Sequence, residues 1–173
     1  MSLDLSTGIG VSVLANSYKA GAEAASKATE QLGKKPDVLV VFAAPKFEQQ
    51  KMLNGITSIT NAQMIGGTTA GEISTYGLSV NSVVVMAITS KDIKFYAGIG
   101  KNVAKNEVNA GKQLAKSVLK KADIKNANTL VMFPDGLAGD GLAVIAGAQK
   151  VLGESFEIVG GSLGDESDFK HTY

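Results

Sequence analysis

Residues 65–72 read Ile65-Gly66-Gly67-Thr68-Thr69-Ala70-Gly71-Glu72, and residues 159–166 read Val159-Gly160-Gly161-Ser162-Leu163-Gly164-Asp165-Glu166. Each stretch ends a short apolar run, turns on a pair of glycines, presents a hydroxyl and then a carboxylate. The echo extends outward in both directions. Gly8-Ile9-Gly10 recurs as Gly98-Ile99-Gly100, Asn16 as Asn106, and Ala20-Gly21 as Ala110-Gly111. Leu39-Val40-Val41-Phe42 returns as Leu130-Val131-Met132-Phe133. Constant order with a slowly drifting spacing is the mark of a doubled half-domain, and the period is too long for a short-repeat solenoid.

Apolar runs rich in Val and Ile alternate with Ala/Lys-rich stretches of helical period, which predicts an α/β protein. Strands are expected at Ile9–Ala15, Val38–Ala43, Gln63–Gly66, Ser82–Thr89, Ile93–Ile99, Thr129–Phe133 and Glu157–Gly160. Helices are expected at Tyr18–Leu32, Glu48–Thr60, Glu107–Ala122 and Gly141–Leu152. On the first helix Tyr18, Ala22, Ala25, Ala28 and Leu32 share a face, Asn16 or Ser17 caps the start, and Gly33 ends it. The fold expected is therefore α/β: a tandem duplication of a β-α-β-α-β unit, with a mixed sheet or sheet pair flanked by helices. One domain spans 1–173, with half-units at about 8–90 and 98–173. In the first copy the Gly-Gly loop leads into the apolar strand Ser82–Thr89, whereas the sequence reaches Tyr173 without an equivalent. A fragment of a longer chain is the expectation. An unpaired sheet edge would offer a route to a homodimer.

Composition narrows the function classes. Hydrophobic residues make up 45% and charged residues 19%, as in ordinary globular domains, and the net charge is +1. All seventeen basic residues are lysine, so the planar fork that clamps phosphate bidentately is missing. With neither a basic field nor aromatics interleaved among Lys112, Lys116, Lys120, Lys121 and Lys125, nucleic acid is not an expected partner. Absence of cysteine excludes disulfides and thiolate chemistry and suits a reducing, cytoplasmic setting. No apolar run is long enough for a membrane span.

The four segments "IGGTTAGEIS", "SVVVMAI", "FPDGLAGDG" and "IVGGSLGDE" together resemble the N-terminal part of a FIST domain, a sensory domain of signalling proteins. The resemblance runs from about residue 38 to 168. It implies a non-catalytic domain that binds small ligands, amino acids among them, and signals through a C-terminal FIST half to a linked or partner output module.

The candidate ligand-binding residues are Gly66, Gly67, Thr68, Thr69, Glu72, Asp135, Gly136, Gly160, Gly161 and Ser162. A phosphate loop would need Lys then Ser/Thr and a helix behind; "IGGTTAGE" has Glu72 and a strand. The glycines line a pocket or turn a structural corner, and both readings stand. Asp135 follows a strand end, where ligands sit in open α/β sheets, and could accept from an ammonium group. Asp140 is placed to cap the next helix. Gly160-Gly161-Ser162-Leu163-Gly164 fits the G-x-S-x-G hydrolase pattern, but a serine nucleophile needs an oriented base and the only histidine is His171. That leaves a serine hydrolase using Ser162, or a haem-binding gas sensor with His171 as axial ligand, as alternatives to the expectation of no cofactor. Asp165, Glu166 and Asp168 lack calcium-loop spacing and read as a solvated surface.

Overall fold

Six of the seven apolar runs expected as strands become strands because each finds a neighbour, and the chain falls into two compact units. The computed structural model of the chain describes residues 3–122, 125, 127–166 and 168–173. One unit comprises Met1–Phe95 with Gly164–Tyr173, the other Tyr96–Leu163. The last ten residues thus join the first unit.

In the first unit the chain runs β1 (Leu5–Ser12), α1 (Ser17–Leu32), β2 (Val38–Ala43), α2 (Gln49–Thr57), β3 (Gln63–Thr68), β4 (Glu72–Ser74), β5 (Gly77–Ser79) and β6 (Val83–Ser90). Four of these strands form a mixed sheet in the order β1-β6-β2-β3. β6 is antiparallel to both β1 and β2, and β2 is parallel to β3. β2 and β6 are central and read as nearly unbroken apolar runs, as strands paired on both edges do. Their inward residues Leu39, Val41, Ala43, Val83, Val85 and Ala87 pack on Ala20, Ala24, Ala25, Ala28 and Leu32 of α1 and Met52 and Ile56 of α2. Alanine on the helix face brings α1 close to the sheet. Asn16 starts that helix by accepting from Lys19 N–H at 3.0 Å, and Gly33, at φ +66°, stops it.

The second unit holds α3 (Glu107–Leu119), β7 (Thr129–Met132), α4 (Gly141–Leu152) and β8 (Glu157–Gly160), with β7 and β8 parallel. Ala115, Leu130, Met132, Val144 and Ala148 form its core, with Leu114, Ile145 and Ile158 packed around them. Asn106 and Asp140 cap α3 and α4 by accepting from Asn109 N–H and Leu142 N–H, both at 2.8 Å. The capping role expected of Asp140 is observed.

The halves share one unusual detail. Gly66 stands opposite Val41 at φ +133°, and Gly160 stands opposite Met132 at φ +145°. A Cβ on either glycine would lie 1.9 Å from the carbonyl oxygen of its partner. Both strands therefore cross their neighbour in a conformation and at a distance that only glycine allows.

Two elements differ from expectation. Ile93–Ile99 is not a strand. β1 is a strand because β6 pairs with it along its whole length, and no strand among the described residues lies beside 93–99. Side chains of α3 and of the turn after it take up part of the backbone between Ala97 and Lys101 instead. Ile99 N–H donates to Ser117 Oγ (2.9 Å), Lys101 N–H to Gln113 Oε1 (3.2 Å), and Lys121 Nζ to the Ala97 carbonyl (3.0 Å). The β4–β5 hairpin was not expected. Its three-residue strands are too short to show a period, and Ile73, Tyr76 and Leu78 on it are exposed.

Candidate functional site

The ten residues singled out in the sequence fall into two clusters with opposite character. In the first unit, Gly66 and Gly67 carry β3 to Thr68, which is fully buried. Thr68 N–H donates to the Tyr173 carbonyl (2.9 Å), its Oγ1 accepts from Tyr173 N–H (3.1 Å), and its carbonyl accepts from Gly164 N–H (3.0 Å). Thr69 donates its N–H to the Ala43 carbonyl (3.1 Å) and its hydroxyl to Glu72 Oε1 (2.8 Å). Glu72 is 1% exposed, and its Oε2 accepts both the amide (3.2 Å) and the hydroxyl (2.5 Å) of Ser82. Ser79 Oγ donates to the Glu72 carbonyl at 3.2 Å and shares a 2.8 Å contact with Ser82 Oγ.

A buried carboxylate is tolerable only when hydrogen bonds replace its hydration. Here those bonds come from Thr69, ahead of the hairpin, and from Ser82, immediately before β6. Glu72 pins the β4–β5 hairpin to the sheet, and its oxygens are turned inward.

In the second unit the candidates gather at the carboxyl ends of β7 and β8. Leu163 N–H donates to the Pro134 carbonyl at 2.8 Å, and Asp135 and Leu163 form an isolated parallel bridge in the same register, beyond the last ladder pair of Met132 and Gly160. This brings Gly136 against Ser162, since a Cβ on Gly136 would stand 3.2 Å from Ser162 Cβ. Asp135 does have a local partner: Oδ1 accepts from Leu137 N–H at 2.9 Å and shapes the turn. Its second oxygen, Oδ2, and Ser162 Oγ have no hydrogen-bond partner among the described residues. Gly161 and Ser162 are exposed, and nothing lies within 4 Å of where a Cβ on Gly161 would be. The result is an open cluster of one half-engaged carboxylate, one hydroxyl and exposed backbone. Parallel strand ends are where α/β sheets present ligands.

The acidic segment is corrected. Asp165 is not a solvated surface residue but is 5% exposed. Its carboxylate accepts from Phe169 N–H (3.0 Å), Lys170 N–H (2.6 Å) and His171 N–H (3.0 Å). The Lys170 amide above all, then those of His171 and Phe169, holds its carboxyl below the usual carboxylate range. These bonds support the left-handed backbone of Glu166 (φ +63°) and Phe169 (φ +50°). Asp165 thereby sets the loop that returns Tyr173 to Thr68. Sequence reasoning missed it because the burial depends on that return. His171 is exposed, with its ring centroid 6.3 Å from that of Tyr173.

The chain is thus a mixed α/β protein with glycine-crossed parallel strands in both units and an open polar cluster at the carboxyl ends of β7 and β8. The FIST N domain model matches residues 37–173, and the chain belongs to that family. FIST domains are sensory, signal-transduction domains. A search of curated proteins found no match. Among the described residues no helix is long and apolar enough to cross a membrane.

Proposed function

We propose that this FIST N domain is a non-catalytic sensor that binds a small metabolite carrying an ammonium group, such as an amino acid, at the ends of β7 and β8. The observation that carries the reading is the contrast between the two clusters. Thr68, Thr69 and Glu72 spend their hydrogen bonds on the protein itself. Asp135 Oδ2, Ser162 Oγ and the backbone at Gly136 and Gly161, next to the ladder's end at Gly160, remain available. Asp135 accepts from the ammonium group and Ser162 bonds the ligand's polar end, while Gly161 lets it approach the backbone. The Gly66–Glu72 segment serves as the rigid counterpart that fixes the hairpin. Occupancy is read by a C-terminal FIST half and a linked output module, as the family resemblance suggests.

A thermal-shift screen of amino acids and related amines tests this. A ligand present at a hundredfold excess over its Kd adds about 2.7 kcal/mol, or roughly 5 °C or more for a chain of this size. Asp135→Asn abolishes the shift if the reading is right. A shift that survives both Asp135→Asn and Ser162→Ala would exclude this site.

A further inference from the structure

In both units the helix that follows the Gly-Ile-Gly run turns one polar row back onto that run. On α1 the row is Glu23, Lys27 and Gln31, whose i, i+4 spacing puts them on one face. Gln31 Oε1 accepts from Ile9 N–H at 2.5 Å, and Lys27 Nζ donates to the Val11 carbonyl at 3.1 Å. Glu23 steadies Lys27 through an ion pair of 2.9 Å and accepts from Ser12 Oγ. At the matching places of the second unit stand Gln113, Ser117 and Lys121. Gln113 Oε1 accepts from Lys101 N–H, Ser117 Oγ accepts from Ile99 N–H, and Lys121 Nζ donates to the Ala97 carbonyl. The pairing is displaced by one helical turn, since Ile9 meets the third residue of its row and Ile99 the second. The bonds still fall on the row, although the two rows share no residue type at any matching place.

In the first unit these bonds land on a sheet edge. β1 is the outer strand of the order β1-β6-β2-β3, and alternate residues aim their backbone groups toward β6 or away from it. Ile9 N–H and Val11 O are on the side away from β6, where an added strand would bond. Gln31 supplies a carbonyl and Lys27 an N–H in place of that strand. Bulk does not close the edge. A groove of about 580 Å³, with Ile9, Val11, Glu30 and Tyr76 in its lining, runs beside these bonds. The composition of β1 would make an open edge adhesive. No charged residue stands between Leu5 and Tyr18, Leu5 is 49% exposed, and Val13 just past the strand is 67% exposed. Uncharged apolar edges template pairing with another chain.

We propose that Lys27 and Gln31 are an edge guard: they occupy the outward backbone of β1 and so keep it from pairing antiparallel with the β1 of a second copy. A two-fold pair needs only one strand able to meet itself, and the uncharged β1 is such a strand. The guard prevails because its bonds form within one molecule, whereas a dimer must first offset the cost of association. This inference does not depend on the ligand reading.

The test uses the intact chain, sedimentation over a concentration series and backbone hydrogen exchange. The double variant Lys27→Ala/Gln31→Ala should self-associate, and its Ile9 and Val11 amides should exchange about tenfold more slowly at high than at low concentration. The parent chain should show no such concentration dependence at these amides. Lys27→Arg/Gln31→Glu, which keeps a donor and an acceptor, should behave like the parent. Adding Thr7→Pro to the double alanine variant removes an amide on the same outward side and should abolish the pairing. If circular dichroism shows the double alanine variant unfolded, Gln31→Ala alone, which frees the Ile9 amide, is read in the same way. The proposal is overturned by a folded variant that stays monomeric, by a dimer in which Ile9 and Val11 gain no protection, or by a parent chain already paired through these amides.

Discussion

Glu72 Oε2 receives both the amide and the hydroxyl of Ser82, ten residues further along the chain, and does so almost wholly out of water. Glu72→Gln places an amide among groups that donate, leaving at least one buried donor without an acceptor. The expected loss is about 2–3 kcal/mol, measured by urea unfolding. A neutral substitution would show that the carboxylate is not what pins the hairpin.

The glycine crossings predict a steeper effect. Gly66→Ala and Gly160→Ala each combine a disfavoured backbone angle with a Cβ 1.9 Å from a carbonyl oxygen. Each should cost more than about 3 kcal/mol. Gly33→Ala is the control, because φ is also positive there but nothing lies within 4 Å. Its cost should be only about 1–2 kcal/mol. Equal melting temperatures for Gly33→Ala and Gly66→Ala would contradict the close-approach argument.

Asp165 predicts a pH dependence. Its folded pKa is lowered from an ordinary value of 3.8. The hydrogen bonds of its carboxylate therefore stabilise the fold in full above that value and are lost as pH falls through the lower folded one. Asp4, Glu23 and Asp37 are lowered too, by contacts with Lys91, Ser12 and Thr89 respectively. Asp165→Asn should accordingly lower stability at neutral pH and shrink, without removing, the decline in stability below about pH 4. An acid limb unchanged by the substitution would show that Asp165 gains nothing from ionisation in the fold.

Helix starts give a milder prediction. Asn16→Ala and Asn106→Ala remove the acceptors for Lys19 N–H and Asn109 N–H. Each should lower stability by about 1 kcal/mol in thermal or denaturant melts.

Local chemistry was legible in the sequence. β2, α4 and β8 begin and end where their patterns and caps indicate. The paired glycines announced a shared geometry, and the family followed from the same motifs. What depended on distant partners was not legible. Ile93–Ile99 has a strand-like composition, but a strand needs a neighbour. Asp165 looked solvated because its burial requires amides four to six residues later to fold back on it. The split of the candidate residues into an inward-turned and an open cluster was equally hidden. Thr68 and Ser162 occupy matching places in the sequence, but Tyr173 returns to only one of them.

The most direct measurement is backbone amide chemical-shift mapping with an amine metabolite from the screen. The account predicts the largest shifts at Asp135–Gly139 and Gly161–Leu163, and their disappearance in Asp135→Asn. Shifts centred on Thr68–Glu72, shifts retained in Asp135→Asn, or none with any compound of the screen would contradict it.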